Sequence, residues 1–530
     1  MTPDPILGTT RSLTRRRLIA DLGLASAAVL LSACGSTARR AGTGGSTLNA
    51  TWVDPSGDGT LSQGPGAALL ERTELSAPAP LGSEIARLAH LTDAHILDAQ
   101  SPARVTFLNR LGAPFTSTFR PQEALTAQVL NGAVRAINAF GPDAVIQGGD
   151  LIDNAQTNEL EQALAILAGG SVRRASGTGA YVGVQSASNP DPFYYRPEID
   201  APRHPGLLAS SLTTFSARGL RAPVYPVLGD HDILVAGVLP PSSTTQLIAV
   251  GDRAVWELPS GLSLPSLVAT SSPSPDGLDD PQAIDRLIGD LARVPSVTVP
   301  ADLRRRELTA TEALARLRGF VLPGDRDRRS SATEAGIGAA QTNGPLLDYR
   351  FDVGSQLRVI VLDLVRRAGG SGGVIHPGQP AWLAAELRAA GERWVLVVSH
   401  QPLDTTAGGP GLLALLDAHP RTLAALWGHT HRNRIVPRPA ANGGYWLIAT
   451  ASLVDFPQQA RALRVRSTAD GGAALETWVL DHVPDTGGIG DISRELSYID
   501  AQGGRPKGFA GGAPDRNVRL YRGPPGRSTG

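Results

Sequence analysis

Five apolar, β-branched runs along the chain each close on a polar cluster. Ile85–Leu91 leads into Thr92-Asp93-Ala94-His95, Ala144–Gln147 into Gly148-Gly149-Asp150, and Val224–Leu228 into Gly229-Asp230-His231-Asp232. Trp394–Val398 leads into Ser399-His400, and Leu423–Trp427 into Gly428-His429-Thr430-His431; Leu357–Leu362 is a further run of the same kind. Short continuous apolar runs bounded by turn residues predict buried strands. Between them, Glu123–Phe140 carries Leu125, Val129 and Val134 on or near one helical face and stops at Gly141-Pro142, and Gln379–Ala390 behaves likewise. Strand alternating with helix predicts an α/β fold, whose ligands sit at the carboxyl ends of strands. Beyond His431, Tyr445–Ala451, Ala462–Arg466 and Leu475–Leu480 predict the strands of a meander, Asp491–Ala501 a short helix and Asn517–Tyr521 a final edge strand.

Two stretches break this rhythm. Residues 155–222 and 240–345 are rich in Pro, Gly, Ser and Arg with scattered apolar periodicity, and are expected as insertions beside the active face of one domain spanning 81–522. Gly (60) and Pro (41) make up about a fifth of the 530 residues, in keeping with long loops. With 49 basic and 49 acidic residues the chain is neutral, which argues against nucleic acid as a stable partner. Residues 523–530 have no apolar anchor and are expected as a disordered tail.

The first 33 residues read as an export signal: a basic stretch with Arg11, Arg15, Arg16 and Arg17, then an apolar run from Leu22 to Ala33 too short to span a bilayer. Thr14-Arg15-Arg16-Arg17-Leu18-Ile19 resembles a twin-arginine signal. Leu31-Ser32-Ala33-Cys34 resembles a bacterial lipobox, and Cys34 is the sole cysteine, so no intrachain disulfide forms. The expectation is an extracytoplasmic protein lipid-anchored at Cys34 to the outer face of the cell membrane. Residues 34–80, rich in Gly, Ser, Thr, Pro and Ala, are expected as a flexible tether.

The polar strand ends hold five of the ten histidines: His95, His231, His400, His429 and His431. Imidazole with carboxylate and no thiolate suits manganese, iron or zinc. In Asp93-x-His95 and His429-x-His431, alternate residues of an extended segment can face one pocket. Asp150 offers two oxygens and can bridge two cations, an arrangement that activates water for displacement at phosphorus.

Asp93-Ala-His95, Gly149-Asp150-Leu-Ile-Asp153, Gly229-Asp230-His231-Asp232, His400 and Gly428-His429-Thr-His431 resemble, in order and spacing, the motifs of the calcineurin-like metallophosphoesterases. Gln379-Pro380-Ala381-Trp382-Leu383 and Thr450–Pro457 are similar to further family elements, and the long-insert, twin-arginine-exported bacterial subgroup is the nearest likeness. The resemblance implies a four-layer α/β/β/α sandwich and hydrolysis of phosphate mono- or diesters by a hydroxide bridging two transition-metal ions. It makes Asp93, His95 and His431 ligands of the first metal, Asp150 the bridge, and Asp230, His400 and His429 ligands of the second. His231 would protonate the leaving oxygen and Asp232 would orient its ring. The family has Asn where this chain has Asp230; a third ligand carboxylate lowers Lewis acidity and favours a higher-valent cation.

Asp153 is expected to support a ligand through a hydrogen bond, His90 to be a satisfied core histidine and His376 a loop residue. Tyr194, Tyr195, Arg196, Arg203 and His204 are expected to anchor an insertion. Two other functions compete with a phosphoesterase acting on a small-molecule ester: a binding or structural lipoprotein with a degenerate metal site, suggested by Asp230 and the bulky insertions, and an exported metallohydrolase of a non-phosphate bond.

Overall fold

The interior strands form where both alternations of the chain are apolar, because both faces of each sheet are covered. The computed structural model describes residues 44–111, 115–177, 180–257, 273–274, 277–278, 294, 296–320, 345–484, 488–503 and 508–526. The signal segment and Cys34 lie outside them. The strands of the two main sheets are β1 Leu70–Arg72, β2 Leu81–Leu91, β3 Ala144–Gln147, β4 Val224–Pro226, β5 Tyr349–Val353, β6 Leu357–Leu362 and β7 Trp394–Ser399. After them come β8 Thr422–Trp427, β9 Arg434–Arg438, β10 Tyr445–Ala449, β11 Gln459–Thr468, β12 Ala473–Asp481 and β13 Val518–Arg522. Sheet 1 has the order β1-β13-β12-β11-β2-β3-β4 and sheet 2 the order β5-β6-β7-β8-β10-β9. The runs β2-β3-β4 and β6-β7-β8-β10 are parallel, so their carboxyl ends gather at one edge.

The main helices are α1 Thr126–Phe140, α2 Thr157–Ala168, α3 Ala310–Gly319, α4 Gln379–Ala390, α5 Gly409–Ala418 and α6 Ile489–Gly503. In sheet 2, Val359, Val361, Leu396, Val398, Leu426 and Ile448 join the core shared with sheet 1. Their neighbours Ile360, Leu362, Val395, Val397, Trp427 and Leu447 pack with residues of α4 and α5. That alternation is the period of two of a strand with one face on each layer. Each such side chain contributes about 1.5–3 kcal/mol by leaving water. α1 lies on β11 and β12 with α2 and α6 beside it. The result is the four-layer α/β/β/α sandwich that the motifs implied.

Several sequence expectations are corrected. Residues 44–80 are not a tether. Beyond the end of β13, β12 would leave bare backbone, and residues 45–47 cover it: Thr47 donates from N to Val479 O (3.2 Å) and Asp481 N donates to Gly45 O (2.8 Å). Ala50–Val53 then pairs with Ser62–Pro65, and β1 pairs with β13. Asn517–Tyr521 therefore marks an interior strand, with β1 outside it. Residues 445–451 do not continue into a meander, since β10 belongs to sheet 2 and β11 and β12 to sheet 1. The first insertion begins later than expected, after α2, and the second is more integrated than expected. Leu160, Ala163, Ile166 and Leu167 of α2, and Ala313 and Leu317 of α3, sit in the main core. The expected anchoring role of Tyr194 holds: its ring is buried and its hydroxyl donates to Trp256 O (2.6 Å).

Candidate metal centre

Each predicted ligand, and the predicted acid His231, sits just past a parallel strand: Asp93 and His95 after β2, Asp150 after β3, Asp230 and His231 after β4, His400 after β7, and His429 and His431 after β8. Their side chains converge, but not by strand alternation. Asp93 (φ 53°), His95 (φ 44°), Asp150 (φ 48°), His429 (φ 59°) and His431 (φ 53°) all adopt left-handed backbone. Non-glycine residues reach that region at a cost, and such strain collects at functional sites. The loops also press together without room for side chains between them. A Cβ on Gly428 would stand 2.1 Å from Thr92 Oγ1 and 2.5 Å from Asp93 Oδ2.

Donor atoms of Asp93, His95 and His431 lie within 4.8 Å of one another, as do those of Asp150, Asp230, His400 and His429; a third set joins His95, Asp150 and His231. The structure thus brings together all seven residues named as ligands, with His231 beside them.

Hydrogen bonds fix how the rings are protonated. His95 Nδ1 donates to Asp153 Oδ1 (2.9 Å) and His431 Nδ1 to Asp455 Oδ2 (2.5 Å), since a carboxylate only accepts. In a neutral ring Nε2 then carries the lone pair, and the two Nε2 atoms face each other at 3.3 Å. His400 Nδ1 donates to Gly148 O (2.8 Å), which leaves its Nε2 buried, without a hydrogen-bond partner among the described residues, 3.1 Å from Asp150 Oδ2 and 3.3 Å from Asp230 Oδ1. His429 Nδ1 also lies 3.3 Å from Asp230 Oδ1. Lone pairs aimed at lone pairs and at carboxylates repel unless protons or cations stand among them, and imidazole with carboxylate in two converging sets fits two transition-metal ions.

The same fields hold protons. Against burial, the carboxylates of Asp150, Asp230 and Asp93 hold His400 well above the ordinary imidazole range, and Asp93 and Asp455 raise His431 to about 9. Despite burial, neighbouring histidines pull Asp93 and Asp230 down, so both remain ionised. His95 is pushed down by burial and by His231.

The role given to Asp232 is corrected. Its carboxylate accepts from the backbone amides of Leu151 (2.8 Å), Ile152 (3.2 Å) and Gly229 (2.8 Å), and so it ties the β3 and β4 loops together. Burial and Asp150 push it up to about 7. The His231 ring is oriented by Asp153 instead: Nδ1 donates to Asp153 O (2.7 Å), and Asp153 Oδ1 lies 3.6 Å away. His231 also donates from its backbone N to Asp150 Oδ1 (2.9 Å).

Sequence reading gave no role to Arg120, Gln401 or Asp455. Arg120 pairs with both oxygens of Asp455, and Gln401 Nε2 donates to Asp230 Oδ1 (3.0 Å). Gln401 follows His400 directly, and Asp455 lies in the Thr450–Pro457 element; Arg120 carries no local signal. His90 donates or accepts at Nδ1 with Thr450 Oγ1 (2.8 Å), but its Nε2 has no partner among the described residues, so there it is only half satisfied. His376 is a loop residue whose Nε2 meets Val365 O at 3.1 Å.

In sandwich architecture and in the order of its converging strand ends, the chain keeps its resemblance to the calcineurin-like metallophosphoesterases. No family model and no curated protein matches it. Among solved structures it is similar to a dimetal phosphatase from Danio rerio, at 14% identity over 76% of this chain and 98% of the other, with a TM-score of 0.36. It is also similar to the sulfate thiohydrolase SoxB of Thermus thermophilus in complex with glycerol (13%, 79% and 60%, TM-score 0.28). A third likeness is to the NAD nucleotidase NadN of Haemophilus influenzae (10%, 78% and 55%, TM-score 0.24).

Proposed function

We propose that the protein is an exported, binuclear-metal phosphoesterase that hydrolyses phosphate mono- or diesters at the outer face of the cell membrane. The observation that carries the chemistry is the pair of buried donor sets joined at Asp150. Asp93, His95 and His431 would hold one ion and Asp230, His400 and His429 the other, with Asp150 serving both. Bound there, the ions would supply activation of water and neutralisation of charge at phosphorus.

The protein's own groups do the rest. Asp230, turned into the donor set rather than away from it, acts as a ligand in place of the family's Asn. His231 holds a proton for the departing oxygen: with Nδ1 committed to Asp153 O, Nε2 is the atom that donates. Burial opposes that proton, but Asp150, Asp153 and Asp230 raise His231 above the ordinary imidazole range, which keeps the acid form populated near neutrality. Export and anchoring are supported by the arginine-rich signal and the lipobox-like Leu31–Cys34.

The test is elemental analysis of the purified protein, followed by a panel of phosphomonoesters and diesters with manganese, iron or zinc added. Two ions per chain and turnover of an ester are expected. A folded protein that takes up none of these metals overturns the reading.

A further inference from the structure

The two histidines of the first donor set are backed in different ways. His95 leans on Asp153, to which Arg104 comes no closer than 3.9 Å (Nε to Oδ2), while Arg104 itself bonds Glu123 (2.7 Å). His431 leans on Asp455, and there the next partner is fully engaged: Arg120 Nε donates to Asp455 Oδ1 (2.7 Å) and Nη2 to Oδ2 (3.3 Å). Arg120 is 1% exposed. Its Nη1 is held in turn by Ser117 O (2.7 Å). Asp455 is steadied from its other side, since its N donates to Ser452 Oγ (3.0 Å).

We infer that Arg120 is a positioning residue for the metal centre, acting through Asp455 on His431. The inference rests on the metal-site reading above. A guanidinium fork can fix both oxygens of a carboxylate in one plane, which an ammonium cannot. Fixed in this way, Asp455 Oδ2 meets His431 Nδ1, keeps the proton on that nitrogen, and turns Nε2 towards Asp93 Oδ1 (3.2 Å) and His95 Nε2 (3.3 Å). Without the fork, Asp455 can rotate, and the ring and its tautomer lose their reference. Arg120 stands more than 300 residues from Asp455 in sequence, so this contact, beside that of Gln122 Nε2 with Val454 O (3.0 Å), ties the segment before α1 to the loop that backs His431.

The test is calorimetric titration of manganese into the full chain, freed of metal by chelation, for wild type, Arg120→Met, Asp455→Asn and the double variant. Loss of a partner behind a ligand typically weakens metal binding about 10–100-fold. Arg120→Met is expected to weaken one of the two binding events by that factor, Arg120→Lys by less, and Arg120→Met in the Asp455→Asn background by little further. Arg358, also buried and forked onto Asp352 (2.8 and 3.0 Å) at the opposite end of β6, is the control: Arg358→Met should lower the melting temperature and leave both affinities unchanged. If Arg120→Met does not fold, Arg120→Lys carries the same comparison. Equal affinities in wild type and Arg120 variants overturn the inference, as does a full additional loss in the double variant. A wild type that binds no manganese overturns instead the reading of the site.

Discussion

At the scale of single residues, His231 and His90 show one side chain serving opposite ends. In the proposed mechanism His231, raised above the ordinary imidazole range by Asp150, Asp153 and Asp230 against burial, gives up a proton. His231→Ala should therefore slow hydrolysis of an alkyl phosphate by about 10²–10⁴-fold, the usual contribution of a general acid, and barely affect a nitrophenyl ester, whose leaving group needs no proton. Equal losses on both, with metal lost as well, would make His231 a ligand. His90 is the reverse case: burial drives it down to about 3. Its ordinary value is about 6.5, so the unfolded chain takes up the proton first and folding stability is lost as pH falls from about 6.5 towards about 3. The slope is at most about 1.4 kcal/mol per pH unit from this group. Melting curves in chelator should show His90→Gln losing less stability than wild type between pH 6.5 and 4.5. Parallel curves would remove His90 from the account.

At the scale of elements, the turns matter more than the strands they end. Gly428 leaves no space for a methyl group between Thr92 and Asp93, so Gly428→Ala should displace Asp93 and abolish binding of at least one ion while the sandwich stays folded. Metal titration beside circular dichroism checks this; unchanged stoichiometry would count against it. These turns and their strands were legible because interior strands are apolar on both alternations and change abruptly to Asp, His and Gly at their ends. What escaped notice had weaker patterning. β5, Tyr349–Val353, alternates with Arg350 and Asp352, and the edge strand β9, Arg434–Arg438, contains Pro437, which an edge tolerates. α5 begins Gly409-Pro410-Gly411, a turn signal that hides a helix built from the leucines after it. The direction of the Asp-x-His pairs also lay beyond pattern reading, because left-handed backbone, and not strand alternation, aims them. Asp232 was misjudged for a related reason: adjacency in sequence placed it beside His231, whereas three backbone amides claim its carboxylate.

At the scale of the whole molecule, the described fold begins at Gly44, ten residues after Cys34 in sequence. Replacing Arg15 and Arg16 by Lys should leave precursor in the cytoplasm, and Cys34→Ser should move the protein from membranes to the soluble fraction. Membrane fractionation reads both, and an unaltered distribution for Cys34→Ser would refute the anchor. The sandwich also bears on how such a protein would be charged with metal. Because left-handed backbone at five ligands and side-chain-free contacts at the glycines set the donor directions in advance, filling the centre requires no loop to fold. Loading should then follow the speed at which each aqueous ion sheds its water, giving stopped-flow traces whose rates rise in proportion to ion concentration without reaching a plateau. A centre built this way behaves as a mould rather than a clasp, and it can exchange one metal for another without passing through an opened form of the protein.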